Sequence, residues 1–395
     1  MTPYSKVLIS RRDCLRWSAL TVGGAFLGKH VSLGAATTQP EPGGHFTLAQ
    51  RGDHWWFITP EGESFFSIAL NHIDPAPLRY LENGDLWTRK YGNSMERWLK
   101  QSVAPDLRAW GFNSVGWTQE VVTRGPTNHR HSRAFIFEEY QWLGLPYCHL
   151  LPFADFHQWE NETRYPDFSS TEFADWCDYV GREHCARMAG DPKLIGYFYV
   201  DCPTWIHTRP DNRWRGPLFD PAKLKSEAGR RELLDLATRY YRVTHEAVRR
   251  YDKNHLILGD RYEANAPIAE EVVRAALPFV DVLSFQHFGP PGKVQADLNR
   301  WHDFSGKPVL LADGARQIAG EGDTKRHDPK GYAETLAALR DVKSCVGYHL
   351  CGAYLRNNAR KRGLRDAAER PDSEAIAGIT AANLETARWV RDFRP

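Results

Sequence analysis

Short apolar runs and helical stretches alternate along this 395-residue chain, and few folds accommodate that rhythm. Runs that read as strands cover residues 65–70, 112–117, 147–153, 194–200, 256–259, 280–285, 308–312 and 346–350. The spacing predicts helices over 94–110, interrupted by Pro105, and over 171–188, 227–251, 268–276, 293–304, 332–342 and 376–393. The strand at 194–200 is apolar without alternation, as a strand buried on both faces must be. Strands linked through helices pair in parallel, so the expected fold is α/β, a single (β/α)8 barrel of the TIM type over residues 37–395. An open doubly wound sheet is the alternative. Residues 43–64 alternate apolar and polar residues around Asp53 and the turn Thr59-Pro60-Glu61-Gly62, which predicts a small β-hairpin element beside the barrel.

The chain opens differently. Ser10-Arg11-Arg12-Asp13-Cys14-Leu15-Arg16, a mildly apolar stretch at 18–27 and the small residues 33–36 read as a twin-arginine export signal over residues 1–36, with Cys14 at the usual Phe. A cytosolic amphipathic N-terminus is the alternative. The chain has 51 Lys and Arg against 49 Asp and Glu, and residues 1–36 carry five of the cations (Lys6, Arg11, Arg12, Arg16, Lys29) and one anion, Asp13. The remainder is therefore near −2, which implies neither a nucleic-acid face nor a membrane-binding patch. No later apolar run reaches the roughly 18 residues of a membrane span. Apart from Cys14, the cysteines (148, 177, 185, 202, 345, 351) show no metal-ligand spacing and no dense disulfide framework.

In parallel α/β folds catalytic groups collect where strands end at their carboxyl side. The fourth strand ends in Asp201-Cys202-Pro203 and the seventh, entered through Lys307-Pro308, in Asp313. His72, His149, His287 and His349 read as following strands one, three, six and eight. With Asp74, Asp155, Asp260 and Arg261 they suggest a polar funnel. The aperiodic segment 202–219 adds Trp205, His207, Arg209, Arg213, Trp214 and Arg215, side chains suited to stacking on sugar rings and to binding carboxylate or sulfate.

Two motifs carry a resemblance. Residues 194–203, Leu-Ile-Gly-Tyr-Phe-Tyr-Val-Asp-Cys-Pro, resemble the fourth-strand motif of clan A glycoside hydrolases, most closely the β-agarase-like branch, and 306–313, Gly-Lys-Pro-Val-Leu-Leu-Ala-Asp, resemble the clan's seventh-strand motif. The resemblance implies a barrel glycosidase acting on O-glycosidic bonds of a poly- or oligosaccharide. It places Cys202 at the clan's acid/base Glu, Asp201 at the preceding Asn, and Asp313 at the nucleophilic Glu.

Glycoside hydrolysis normally uses two carboxyl groups. A thiol with a reference pKa near 8.5 is a poor proton donor at neutral pH, so Asp201 and Asp313 are the expected catalytic pair, with Cys202 behind Asp201. Because Asp is shorter than Glu, the pair is expected nearer the wider spacing of inverting enzymes. Expected substrate contacts are His72, Asn113, Trp117, His149, Trp205, Arg209, Asp260, Arg261, His287 and His349. No cofactor is implied. A metal is not expected, since residues 71–74 lack the His-x-His pair of metal-dependent amidohydrolase barrels. The implied partners are a glycan and the twin-arginine export machinery, with no nucleic acid and no membrane once the signal is removed. A polysaccharide lyase acting on a uronate-containing glycan and an exported sugar-binding barrel are the competing readings.

Overall fold

The computed structural model describes residues 44–123, 131–154, 167–203, 205, 222–264, 268–358 and 360–394. They belong to one compact unit, Pro40–Pro395. The export signal expected over 1–36 lies outside the described residues, as do Asp155, His207, Arg209, Arg213, Trp214 and Arg215.

Eight parallel strands close into a barrel, in the order in which they occur in the chain. They are β1 (Ser67–Leu70), β2 (Ser114–Val115), β3 (Tyr147–Leu150), β4 (Leu194–Asp201), β5 (Leu256–Glu263), β6 (Leu283–Gln286), β7 (Val309–Gly314) and β8 (Cys345–Leu350). The apolar runs serve two cores at once. Leu256, Leu258, Leu310 and Ala312 belong to a cluster inside the barrel, while Ile257, Val309 and Leu311 belong to the layer between barrel and helices, the period-two division of a strand buried on both faces.

A three-stranded antiparallel sheet, Thr47–Arg51, His54–Ile58 and Ser64–Phe65, replaces the expected hairpin with one strand more. Its Phe46 and Phe57 join the inner cluster beside Leu256, Val282 and Val346, near the amino ends of β5, β6 and β8. The Trp55 amide donates to the Lys343 carbonyl at 2.7 Å. With its amino end stoppered by these aromatics, the barrel is left with its carboxyl end for a ligand.

The long helix Glu227–Tyr251 agrees with its predicted span, and Ser226 caps it by accepting from the Gly229 amide. The helix expected to break at Pro105 continues instead. Met95–Trp98, a π-helical segment Leu99–Val103 and Ala104–Ala109 run on without a gap, and Pro105, which cannot donate to the ladder, lies directly after the π-helical turn. The six described cysteines are thiols, with Cys177 and Cys185 buried in the helix layer. No helix among the described residues is long and apolar enough to cross a membrane.

Two irregularities in the strands bear on the site. Gly196 of β4 faces the Leu256 carbonyl so closely that a Cβ would lie 2.4 Å from it, so only glycine fits there. Farther along, Phe198 pairs with Gly259 and Asp201 with Arg261, three residues of β4 against two of β5. The extra residue is a β-bulge, which resets the alternation and turns Asp201 to the same face as Phe198.

Candidate active site

Arg261 is the hub of the carboxyl-end mouth. It is buried, lies over the Trp117 ring at 4.2 Å, and its Nη1 donates to the Ala312 carbonyl at 3.1 Å. Its Nε and Nη2 donate to Asp201 Oδ1 at 2.9 and 2.7 Å. On its other side Nη1 stands 4.0 Å from Asp313 Oδ1. One guanidinium thus separates the two carboxylates.

The two carboxylates differ in their surroundings. Asp313 is enclosed, with its side chain 4 % exposed, and accepts from Asn71 Nδ2 at 2.6 Å, with His72 Nε2 3.9 Å away. Burial opposes its ionisation, but the Arg261 guanidinium, followed by His72 and Asn71, prevails and holds its pKa well below the usual carboxylate range. Asp201 is 17 % exposed at the mouth. Burial raises its pKa, Arg261 opposes the rise, and the charge of Asp313 adds to it. The hydrogen bonds Asp201 accepts from described residues, two from Arg261 and one from Gln286 Nε2, all end on Oδ1. Oδ2 is therefore the oxygen placed to carry a proton.

Cys202 follows in the left-handed region, at φ 44°. Gln286 Nε2 lies 2.8 Å from its Sγ as well as reaching Asp201. Asn71 clamps three strand ends together. Its Nδ2 donates to the Ala312 carbonyl at 2.8 Å as well as to Asp313, while its Oδ1 accepts from the Trp117 amide at 2.7 Å. Gly116 makes room for it, since a Cβ there would come within 2.1 Å of Asn71 Oδ1 and 2.8 Å of His349 Nδ1.

His72, Asp313 and Cys351 bring donor atoms within 4.8 Å of one another, a set that chemically suits a soft metal. Guanidiniums already meet this set. Arg360 Nη2 lies 3.0 and 3.1 Å from the His72 ring nitrogens, Arg362 Nη2 donates to Cys351 Sγ at 3.1 Å, and Arg261 flanks Asp313. Three fixed cations oppose a dication. Burial and then Arg360 push the His72 pKa down to about 3, and burial with the charge of Asp313 pushes the Cys351 thiol up to about 12.

Several expected sugar contacts are corrected. β5 runs four residues past its expected end, so Asp260 and Arg261 lie within the strand and face opposite ways. Asp260 points outward, accepting from the Tyr240 and Tyr241 hydroxyls at 2.9 and 2.6 Å. His149 likewise lies inside β3 and faces the helices, against Tyr140 and, at 2.8 Å, His184. Asn113 sits at the amino end of β2, where its amide binds the Phe66 carbonyl and the Ile68 amide of the neighbouring strand. The His287 ring is held by Asp297 at 2.8 Å and the Gly289 amide, turned toward the helix Pro291–Ser305. Trp205 is buried against Phe168, Tyr240 and Tyr241, and is no exposed platform. Trp117 is buried beneath Arg261 and serves as its support.

His72, Arg261, Asp201, Cys202 and Asp313 do converge. His349 lies within β8, its Nε2 2.9 Å from Ser67 Oγ and its ring edge-on to Phe198, inside the barrel. Reading by sequence alone passed over Asn71, Gln286, Cys351, Arg360 and Arg362. Asn71 and Gln286 carry the same signal as Asp201, a polar side chain at a strand's carboxyl end. The loop arginines carry no local pattern.

The architecture has known counterparts. An exo-β-agarase superposes with a TM-score of 0.67 over 90 % of this chain and 66 % of its own, at 15 % identity. The fold is glycoside-hydrolase-like. A second agarase gives 0.64 over 89 % and 64 % at 16 % identity, and a β-glucuronidase of Bacteroides uniformis 0.52 over 85 % and 37 % at 13 %. The chain thus spans slightly under two thirds of the length of those two agarases. Neither a family profile nor a curated protein sequence matches it.

Proposed function

We propose that this chain is an exported carbohydrate-active enzyme, a glycoside hydrolase acting on O-glycosidic bonds of a poly- or oligosaccharide, in the manner of the agarases it is similar to in fold. The observation that carries the proposal is the pair Asp201 and Asp313, set on either side of Arg261 at the carboxyl end of the barrel with oppositely shifted pKa values. A pair of carboxyls whose environments pull their proton affinities apart is the arrangement that general acid and base roles require. Asp201 is the acid, donating from Oδ2 to the leaving glycosidic oxygen, and Asp313 is the permanent carboxylate that activates water or attacks the anomeric carbon. Because Arg261 lies between them, we favour water and inversion. Arg261 orients Asp201 and Asn71 orients Asp313. The twin-arginine reading of residues 10–16 makes the place of action periplasmic or extracellular.

A panel of marine and plant polysaccharide fragments, incubated with the protein and resolved by chromatography, tests this. New reducing ends support hydrolysis. Unsaturated products absorbing in the ultraviolet identify a lyase instead, and binding without turnover identifies a sugar-binding barrel.

A further inference from the structure

We infer that Gln286, at the carboxyl end of β6, is a positioning residue for Asp201: it keeps that carboxyl from closing into a two-pronged ion pair with Arg261 and so leaves Oδ2 open to carry a proton, an inference that rests on the proposal that Asp201 is the acid. Val282 lies in the cluster inside the barrel and Leu283 and Phe285 in the layer outside it, and the period of two then sends Gln286 inward. Its backbone is held from both sides. The Gln286 carbonyl accepts from the Ala264 amide at 2.9 Å, and the next amide, that of His287, donates to the Asp313 carbonyl at 2.8 Å. Gln286 itself is buried, so its side chain leaves a fixed base.

The amide can face Asp201 in one way only. Asp201 Oδ1 already receives Arg261 Nε at 2.9 Å and Nη2 at 2.7 Å, so what Gln286 turns toward it is the donor Nε2. That nitrogen carries two hydrogens, and Cys202 Sγ, 2.8 Å away, takes the second. A guanidinium left alone with a carboxylate normally forks, one nitrogen on each oxygen. Here both nitrogens fall on one oxygen, and Gln286 is the third donor drawing Oδ1 to that place. Without the amide, a small turn of the carboxyl puts Oδ1 on Nε and Oδ2 on Nη2. Only the ionised form can fork in this way, because a proton on Oδ2 would meet an N–H. The amide's own bond to Oδ1, by contrast, is accepted by both forms. Removing Gln286 therefore lowers the proton affinity of Asp201, whereas loss of a donor beside a carboxyl that stays in place would raise it. The sign separates positioning from simple electrostatic contact.

The test is the titration of Asp201, followed by NMR of the whole protein carrying carbon-13-labelled aspartate, with D201N to assign its resonance. The charged and titratable groups around the mouth are Arg261 and Glu263 of β5, Asp313 of β7, Cys202, His72 and Asp74 after β1 and Arg360 after β8, and the wild type and Q286M share them all. Methionine keeps the length of glutamine and removes the donor. In Q286M the Asp201 midpoint is expected to fall by about one unit or more, the effect of one further guanidinium bond to the ionised form. The fall should vanish when R261K is the starting protein, because an ammonium cannot fork. An unmoved or rising midpoint in Q286M, or a fall that persists in the R261K background, overturns the inference. If circular dichroism shows that Q286M does not fold, the wild-type side-chain amide decides. The Gln286 Nε2 resonances should then move with the Asp201 midpoint and cease to do so in D201N, and resonances insensitive to that titration overturn the inference. No sugar is needed, so the two readings separate. A midpoint that falls in a protein cleaving no glycan keeps Gln286 as the residue that positions Asp201 and removes the hydrolase, whereas cleavage beside an unmoved midpoint sinks this inference alone.

Discussion

Replacing Asp260 by Asn removes one buried charge while keeping the shape of the side chain. In the native protein this carboxylate accepts from the Tyr240 hydroxyl at 2.9 Å, the Tyr241 hydroxyl at 2.6 Å and the Val200 amide at 3.2 Å. Burial nevertheless raises its pKa to about 6, the three donors only moderating the rise. An unfolded aspartate titrates at about 3.9. The folded value lies above the unfolded one, so the stability contributed by the protonated group is whole below about pH 4 and is lost as the pH rises through 6. Two pKa units correspond to about 3 kcal/mol, or about 4 °C in Tm for a chain of this size. The substituted amide does not titrate. It can be accommodated because the Tyr241 hydroxyl already lies 2.6 Å from that of Tyr262 and can turn toward it. Thermal unfolding of the wild type and D260N at unit steps from pH 4 to 8 should show the wild type losing about 3 kcal/mol relative to the variant. Stability curves that stay parallel across that range refute the reasoning. Because Asp260 also holds the Val200 amide at the bulge that aims Asp201, D260N is further expected to lower kcat more than it raises KM.

Asp201→Asn and Asp313→Asn are each expected to cut turnover at least a hundredfold with an unchanged circular dichroism spectrum; an active D201N beside an inactive Cys202→Ala would make the thiol the working group. The pH–rate profile should be bell-shaped, its alkaline limb set by ionisation of Asp201, whose pKa is raised, and its acid limb by protonation of Asp313, whose pKa is lowered. D201N should remove the alkaline limb from the residual rate. Trp205→Ala, read by denaturant unfolding, should cost about 3–5 kcal/mol of stability and little affinity for sugar, because the ring is packed against Phe168, Tyr240 and Tyr241. Gly116→Ala should reduce activity through displacement of Asn71, whose Oδ1 would lie 2.1 Å from the new methyl group; full activity would show that the clamp is dispensable.

The barrel could be read from the chain because each strand is apolar on both faces and bounded by polar residues, a signal that survives errors of two or three residues. The site is less forgiving, because a side chain's direction depends on where its strand ends. Asp260 and Arg261 illustrate this. Read as following a strand that stops at 259, both reach the mouth; the strand instead continues to Glu263, and a register shift at Gly259, φ 64°, reverses the alternation of Leu256 and Leu258, so that Asp260 faces the helices and Arg261 the site. His149, too, lies within its strand and faces the helices. Asp201 is the opposite case, since strict alternation gives no reason for it to face Arg261, and a bulge that no local residue pattern announces turns it inward. Arg360 and Arg362 were invisible because their relation to His72 and Cys351 spans 288 and 11 residues of sequence and follows from how the segment after β8 folds back.

What makes Asp201 and Asp313 differ is not Arg261, which serves both, but the order in which the pair ionises. Asp313 has two further partners, Asn71 and His72, and is ionised first. Its charge then acts across the guanidinium on Asp201, where it adds to burial in retaining the proton. The two groups therefore titrate as a coupled pair. Neutralising Asp313 removes a carboxylate and also eases the ionisation of Asp201, so that less of Asp201 stays protonated and able to donate. Loss of either group should accordingly account for most of the loss seen in the double variant, as happens when residues act as one unit.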